Sequence, residues 1–151
     1  MVVPSRIFLD TNVYIIGSSE PESPEKKILD WLGFSGRPVT STEVILSDEL
    51  VEQICRVAKR LRNKDWSGEL LNRIWRNLRI VYVQIDEIDI ANNSFLKQIP
   101  REDIGVYLTA IAGQAEYFIS ANYELIRALA NKTGDFTCFT AEQFIDKYHL
   151  K

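Results

Sequence analysis

The stretch RIFLDTNVYII, residues 6–16, decides the fold reading, because it carries a short apolar run into a single aspartate. Ile7, Phe8 and Leu9 are apolar with β-prone members, the pattern of a strand buried on both faces of a parallel sheet. Asp10 then falls at the carboxyl end of that strand. Ligands of open α/β sheets bind outside the carboxyl ends of the strands, so an acid followed at once by Thr11 and Asn12 marks a candidate site. Asp, Thr and Asn are also good helix caps, and the same three residues read as the start of a helix over 13–16. Both readings stand at this point.

Outward from that stretch, residues 17–24 read as a Ser, Glu and Pro-rich connection, and Ser23 with Pro24 caps a helix over 24–34 that Gly33, Gly36 and Pro38 end. Residues 42–46 are the second strand. Ser47 caps a long helix with Asp48 and Glu49 in its first turn, where carboxylates meet the positive end of the macrodipole. Leu50, Val51, Ile54, Val57, Ala58 and Leu61 form its buried face, leaving Glu49, Glu52, Gln53 and Arg56 on the wetter side. A polar turn over 63–67 leads to a helix over 66–78, completing a helical hairpin. Residues 79–85 read as the third strand, and Asp86 caps a helix reaching Lys97. Glu102 and Asp103 open a nearly apolar helix that ends near Gly113; 117–120 is the fourth strand, YFIS, and Asn122 begins the next helix. Residues 136–139 are the last strand, and Thr140 with Gln143 makes a capping box for the final helix. Strands alternating with helices predict one α/β domain over 1–151, three layers deep, with a parallel Rossmann-like sheet of four to five strands and the hairpin after strand 2.

Composition narrows the function classes. A chain of 151 residues, 46% hydrophobic and 26% charged, folds around one core and is not mainly disordered. A net charge of −3 argues against a protein that coats nucleic acid non-specifically. Cys55 and Cys138 lack paired spacing and read as buried thiols of a reducing compartment. With no apolar run near the roughly 20 residues that span a bilayer, and no targeting pattern, the expectation is a cytoplasmic protein without membrane contact. His149, the lone histidine, reads as a surface residue, and Trp31, Trp66 and Trp75 as core or interface. The basic run Arg56, Lys59, Arg60, Arg62 and Lys64, followed by Arg73, Arg76 and Arg79, is either a path for RNA along the hairpin or a solvated face balanced by Glu52, Asp65 and Glu69.

The alternation places Asp10, Asp103, Asn122 and Glu124 at strand ends or helix starts. Mg²⁺ takes oxygen ligands and keeps several waters, so two or three convergent carboxylates beside a sheet edge suffice to hold it, and such a site activates water for phosphodiester cleavage. Asp10 as a phosphotransfer nucleophile is the less supported option, because that chemistry usually has an acid two residues on and Asn12 stands there.

In order and spacing these motifs resemble the PIN domain, a family of small α/β metal-dependent ribonucleases, many of which at this size resemble toxins of toxin–antitoxin pairs. LDTNV at 9–13 matches the first motif, with Asp10 as the first family acid. Asp103, with Ala110 seven positions on and YFIS after it, matches the third acid; Ser120, Asn122 and Glu124 fit the motif that follows. The second family acid lies six residues past the serine that caps the helix after strand 2, and counting from Ser47 that position holds Gln53. Glu52 is adjacent but rotated by about 100° around the helix, and Glu49 lies one turn back on the face of Gln53. The resemblance implies an endoribonuclease of single-stranded RNA, with Asp10, Glu52, Asp103 and Asn122 catalytic and Thr11, Asn12, Gln53 and Ser120 toward the substrate. It implies Mg²⁺ or Mn²⁺ on Asp10, Asp103, Glu52 and Glu124, an antitoxin as partner, and a homodimer. Gln53 and Asn122 favour an alternative, a catalytically weakened module that binds RNA or protein through the same cleft.

Overall fold

The computed structural model describes residues 2–85, 99–100, 103–130 and 134–151. Five parallel strands, β1 (Arg6–Leu9), β2 (Glu43–Leu46), β3 (Ile80–Tyr82), β4 (Tyr117–Ile119) and β5 (Thr137–Phe139), form one sheet in the order β3-β2-β1-β4-β5. Among the described residues the helices are α1 (Thr11–Ser19), α2 (Pro24–Leu32), α3 (Asp48–Leu61), α4 (Lys64–Asn77), α5 (Ile104–Ala112), α6 (Tyr123–Ala130) and α7 (Ala141–Tyr148). This is the expected three-layer α/β arrangement, with β1 at the centre of the sheet.

The central position of β1 follows from its side chains. Ile7, Phe8 and Leu9, and their neighbours Val44, Ile45, Leu46, Phe118 and Ile119, are all fully excluded from solvent. Such runs tolerate only a strand covered on both faces. Phe8 stacks on Phe118 with ring centroids 4.8 Å apart, and Phe118 on Phe136 at 5.4 Å, which ties β1 to β4 and to the approach to β5. Each fully buried aliphatic or aromatic side chain contributes roughly 1.5–3 kcal/mol. The register Ile7↔Val44 and Leu9↔Ile119 aligns the carboxyl ends of β2, β1 and β4 along one edge.

Capping drives the helix starts as expected. The Ser23 and Ser47 hydroxyls accept from the Lys26 and Leu50 backbone N–H groups, each at 3.2 Å, and both halves of the Thr140–Gln143 capping box are present. Other boundaries moved. Residues 17–19, read as connection, continue α1, because Gly17 lets α2 come close: a Cβ there would sit 2.5 Å from Leu29 Cδ1 and 3.1 Å from the Glu25 backbone. Residues 64–67, read as turn, are the first turn of α4, since the Asn63 side chain caps it by accepting from Trp66 N–H at 2.8 Å. Leu61, expected to be buried, is 58% exposed at the end of α3, and Trp75 is half-exposed against the ring of Tyr82. Cys55 and Cys138 are free thiols and only partly buried. The helix expected over 86–97, and Glu102, lie outside the described residues.

The carboxyl end of α5 lies directly over β2. A Cβ on Gly113 would come within 2.5 Å of Ile45 Cγ2 and 2.7 Å of its Cδ1, and Ile45 is too enclosed to move aside. Gly113→Ala should therefore lower stability by about 1–3 kcal/mol in urea unfolding, although the backbone there, φ −82°, accommodates alanine. Adding Ile45→Val should recover part of the loss; a Gly113→Ala protein as stable as the parent would contradict the packing.

Candidate functional site

The residue after β1 ends one element and starts the next. Asp10 N–H donates to Ile119 C=O at 2.9 Å, extending the β1–β4 ladder by one step, and the extended backbone of Asp10 then turns into α1. Its carboxylate is held at both oxygens. Oδ1 accepts from Thr11 N–H at 2.8 Å, and Oδ2 accepts from the buried Ser120 hydroxyl at 2.7 Å. The cap and the site, alternatives in the sequence, are thus the same residue.

Ser120 links the segments that follow β1 and β4. Its oxygen accepts from Asn122 N–H at 3.0 Å and from the Asn12 side-chain amide at 3.4 Å, while Asn12 Oδ1 accepts from Ala121 N–H at 3.0 Å. Asn122 Oδ1 accepts from Leu125 N–H at 3.1 Å and so caps α6. From the other side, the Thr11 hydroxyl donates to Gln53 Oε1, fixing the α3 side chain that faces α1.

Asp103 stands at the start of α5 without capping it through its side chain. Its position relative to α3 is set by a residue that sequence reading passed over. Thr109, fully buried, exchanges a 2.7 Å hydrogen bond with the Ser47 hydroxyl, the cap of α3, and donates to Gly105 C=O at 2.7 Å. Its signal in the sequence is a threonine in an otherwise apolar and aromatic helix, a hydroxyl that needs a partner once buried.

These elements enclose an open cleft of about 580 Å³. Asp10, Thr11, Asn12, Gln53, Asp103 and Asn122 line it, together with Arg56 and Arg60 and with the apolar Ile15, Ile16, Val57 and Leu61. Leu61 owes its exposure to this wall. Ser120 lies behind the lining, under Asp10. Glu52 and Glu124 do not line the cleft: Glu52 faces an outer groove with Cys55, Arg56, Lys59 and Arg60, and Glu124 is exposed in the first turn of α6. Glu49 is exposed where α3 crosses α5, 3.4 Å from where a Cβ on Gly105 would be. Gln53 is therefore the one of the three α3 candidates whose side chain joins the cleft.

Burial pushes the Asp10 carboxyl above the usual carboxylate range; the hydrogen bonds from Ser120 and Thr11 oppose that without cancelling it. A cation in the cleft would reverse the penalty. Among the described residues, no group of three or more His, Cys, Asp or Glu side chains gathers to hold a metal. Two carboxylates with the amide oxygens of Gln53 and Asn122 nonetheless fit Mg²⁺, which commonly takes one or two protein carboxylates and completes its shell with water and substrate phosphate.

Two solved structures share the fold. VapBC2 from Rickettsia felis, bound to a DNA fragment from their promoter, aligns over 89% of this chain and 98% of that chain, with a TM-score of 0.59 and 13% identity. VapBC-1 from nontypeable Haemophilus influenzae aligns over 91% of this chain and 98% of that chain, with a TM-score of 0.59 and 16% identity. The fold is the PIN-domain fold. At such identities the likeness is one of fold, and it extends over nearly the whole length of both PIN-like chains. No protein-family profile matches the sequence, and no curated protein matches it. Among the described residues, no helix of this PIN-like fold is long and apolar enough to cross a membrane.

Proposed function

We propose that this chain is a divalent-metal-dependent endoribonuclease that hydrolyses phosphodiesters of single-stranded RNA, and that it is the toxin of a toxin–antitoxin pair. The observation that carries the reading is the presence of Asp10 and Asp103 in one cleft outside the carboxyl ends of β1 and β4. Asp10 and Asp103 would hold Mg²⁺ or Mn²⁺, with the Gln53 and Asn122 amides as neutral donors; Glu52 and Glu124, outside the lining, stand apart from this set. The chemistry such an ion supplies is acidification of water and neutralisation of charge on the phosphodiester. Ser120 and the Thr11 N–H hold the Asp10 carboxylate in one orientation, so the site needs little rearrangement as charge develops. Asn12 and Asn122 fix the loops that border the substrate. The toxin reading draws support from the VapBC neighbours, and with it an antitoxin partner and a homodimer are proposed.

A second reading, an RNA- or protein-binding module with weakened catalysis, is favoured by Gln53, a neutral amide on the cleft wall whose oxygen already accepts from Thr11. One experiment separates the two. A fluorescent single-stranded RNA is incubated with the wild-type protein in Mn²⁺, Mg²⁺ or EDTA, and the melting temperature is recorded in each. The nuclease reading expects cleavage and a raised melting temperature with metal, and neither in EDTA. RNA retention without cleavage in any metal would replace it with the binding module.

A further inference from the structure

We propose that Arg56 and Arg60 form a phosphate clamp on the cleft wall, seating two backbone phosphates of the single-stranded RNA on either side of the bond to be cut. The proposal deepens the nuclease reading and rests on the cleft taking RNA.

Arg56 and Arg60 are one helical turn apart on α3, about 6 Å along its axis, so both project from one face. Both line the cleft that holds Asp10 and Asp103, and both also line the outer groove with Lys59. They therefore join the two depressions into one continuous track. Among the described residues neither makes an ion pair, so their charge is not spent on a neighbour.

The charge arithmetic of the cleft calls for such a pair. Two carboxylates alone repel an incoming phosphodiester, and Gln53 and Asn122 add polarity without positive charge. Guanidinium groups bind phosphate oxygens in a fixed fork and do not lose their charge at any working pH. Exposed on α3, while Asp10 is buried at the end of β1 and Asp103 opens α5, Arg56 and Arg60 can attract phosphate while leaving Asp10 and Asp103 to the metal. Glu52 is the acid on the outer groove, and it opposes the same track.

The test measures binding of a fluorescein-labelled 2′-O-methyl oligouridylate in EDTA, where hydrolysis plays no part. Arg56→Gln and Arg60→Gln should each weaken binding about tenfold and reduce the slope of log K against log salt by about 0.7, one phosphate contact each. Glu52→Gln should tighten binding, and Lys27→Gln, on α2 away from the cleft, should leave it unchanged. Melting temperatures of all variants near wild type exclude misfolding as the cause. Arginine variants that bind with wild-type affinity and slope would overturn the clamp, as would equally tight competition by poly-L-glutamate. The outcome is separable from the nuclease reading: a wild type that binds through Arg56 and Arg60 but never cuts RNA keeps the clamp and loses the enzyme. One that cuts while its arginine variants bind unchanged does the reverse.

Discussion

Asp10→Asn is expected to lower RNA cleavage about a hundredfold or more while leaving the fold intact. The substitution removes the charge that would hold the metal, and losses of this order follow when a metal or transition-state contact is removed from a preorganised site. Shape and hydrogen bonding largely survive. Asparagine caps α1 as well as aspartate does and keeps an oxygen for Thr11 N–H, and its amide can face the Ser120 hydroxyl. The stability effect has a defined sign. Burial raises the folded-state pKa of Asp10, so the folded chain binds a proton more tightly than the unfolded chain. Stability is then greatest below the ordinary carboxylate pKa and falls as pH rises from there through the raised folded value. In its ionised form the wild-type carboxylate carries a burial penalty that Asn lacks. In EDTA the variant should melt at or above the wild type; in Mn²⁺ the order should reverse, because only the wild type gains binding free energy from the ion. A variant that cleaves RNA at the wild-type rate would remove Asp10 from the mechanism.

The same buried sheet edge explains how much was legible in the sequence. Parallel strands covered on both faces must be unbroken apolar runs, so IFL, VIL and YFI announced themselves, as did the hydroxyl caps Ser23, Ser47 and Thr140. Where a residue's role came from a distant partner, local reading failed. Gly17 resembles a helix end but sits inside α1 because α2 presses against it, and Asn63 resembles a loop but caps α4. At the site, strand ends brought Asp10, Asn122 and the start of α5 to one edge by topology alone. The rotation of α3 was not readable from spacing. It depends on the Ser47–Thr109 bond and on Thr11 reaching Gln53, contacts between residues 62 and 42 positions apart in the chain. The basic run read along the hairpin divides in space for the same reason: Arg56 and Arg60 turn to the cleft, whereas Lys64 begins α4.

That rotation makes Gln53→Glu the most informative single change. Gln53 already faces the cleft, and a glutamate in its place can still accept from the Thr11 hydroxyl, so the geometry has little reason to shift. What changes is charge: a third carboxylate joins Asp10 and Asp103. Without metal these repel, and the variant should melt below the wild type in EDTA. With Mn²⁺ the added anionic ligand should tighten binding about tenfold, worth about 1.4 kcal/mol of extra stabilisation at saturating metal. For a domain of this size that corresponds to an additional rise in melting temperature of roughly 3–6 °C. Cleavage should rise with it if metal occupancy limits the wild type. Glu52→Gln, whose side chain faces the outer groove, should leave the Mn²⁺ shift unchanged. If Gln53→Glu gains no Mn²⁺ stabilisation while Glu52→Gln loses it, the metal is bound from the other face of α3, and the cleft around Asp10 is a binding surface without the ion.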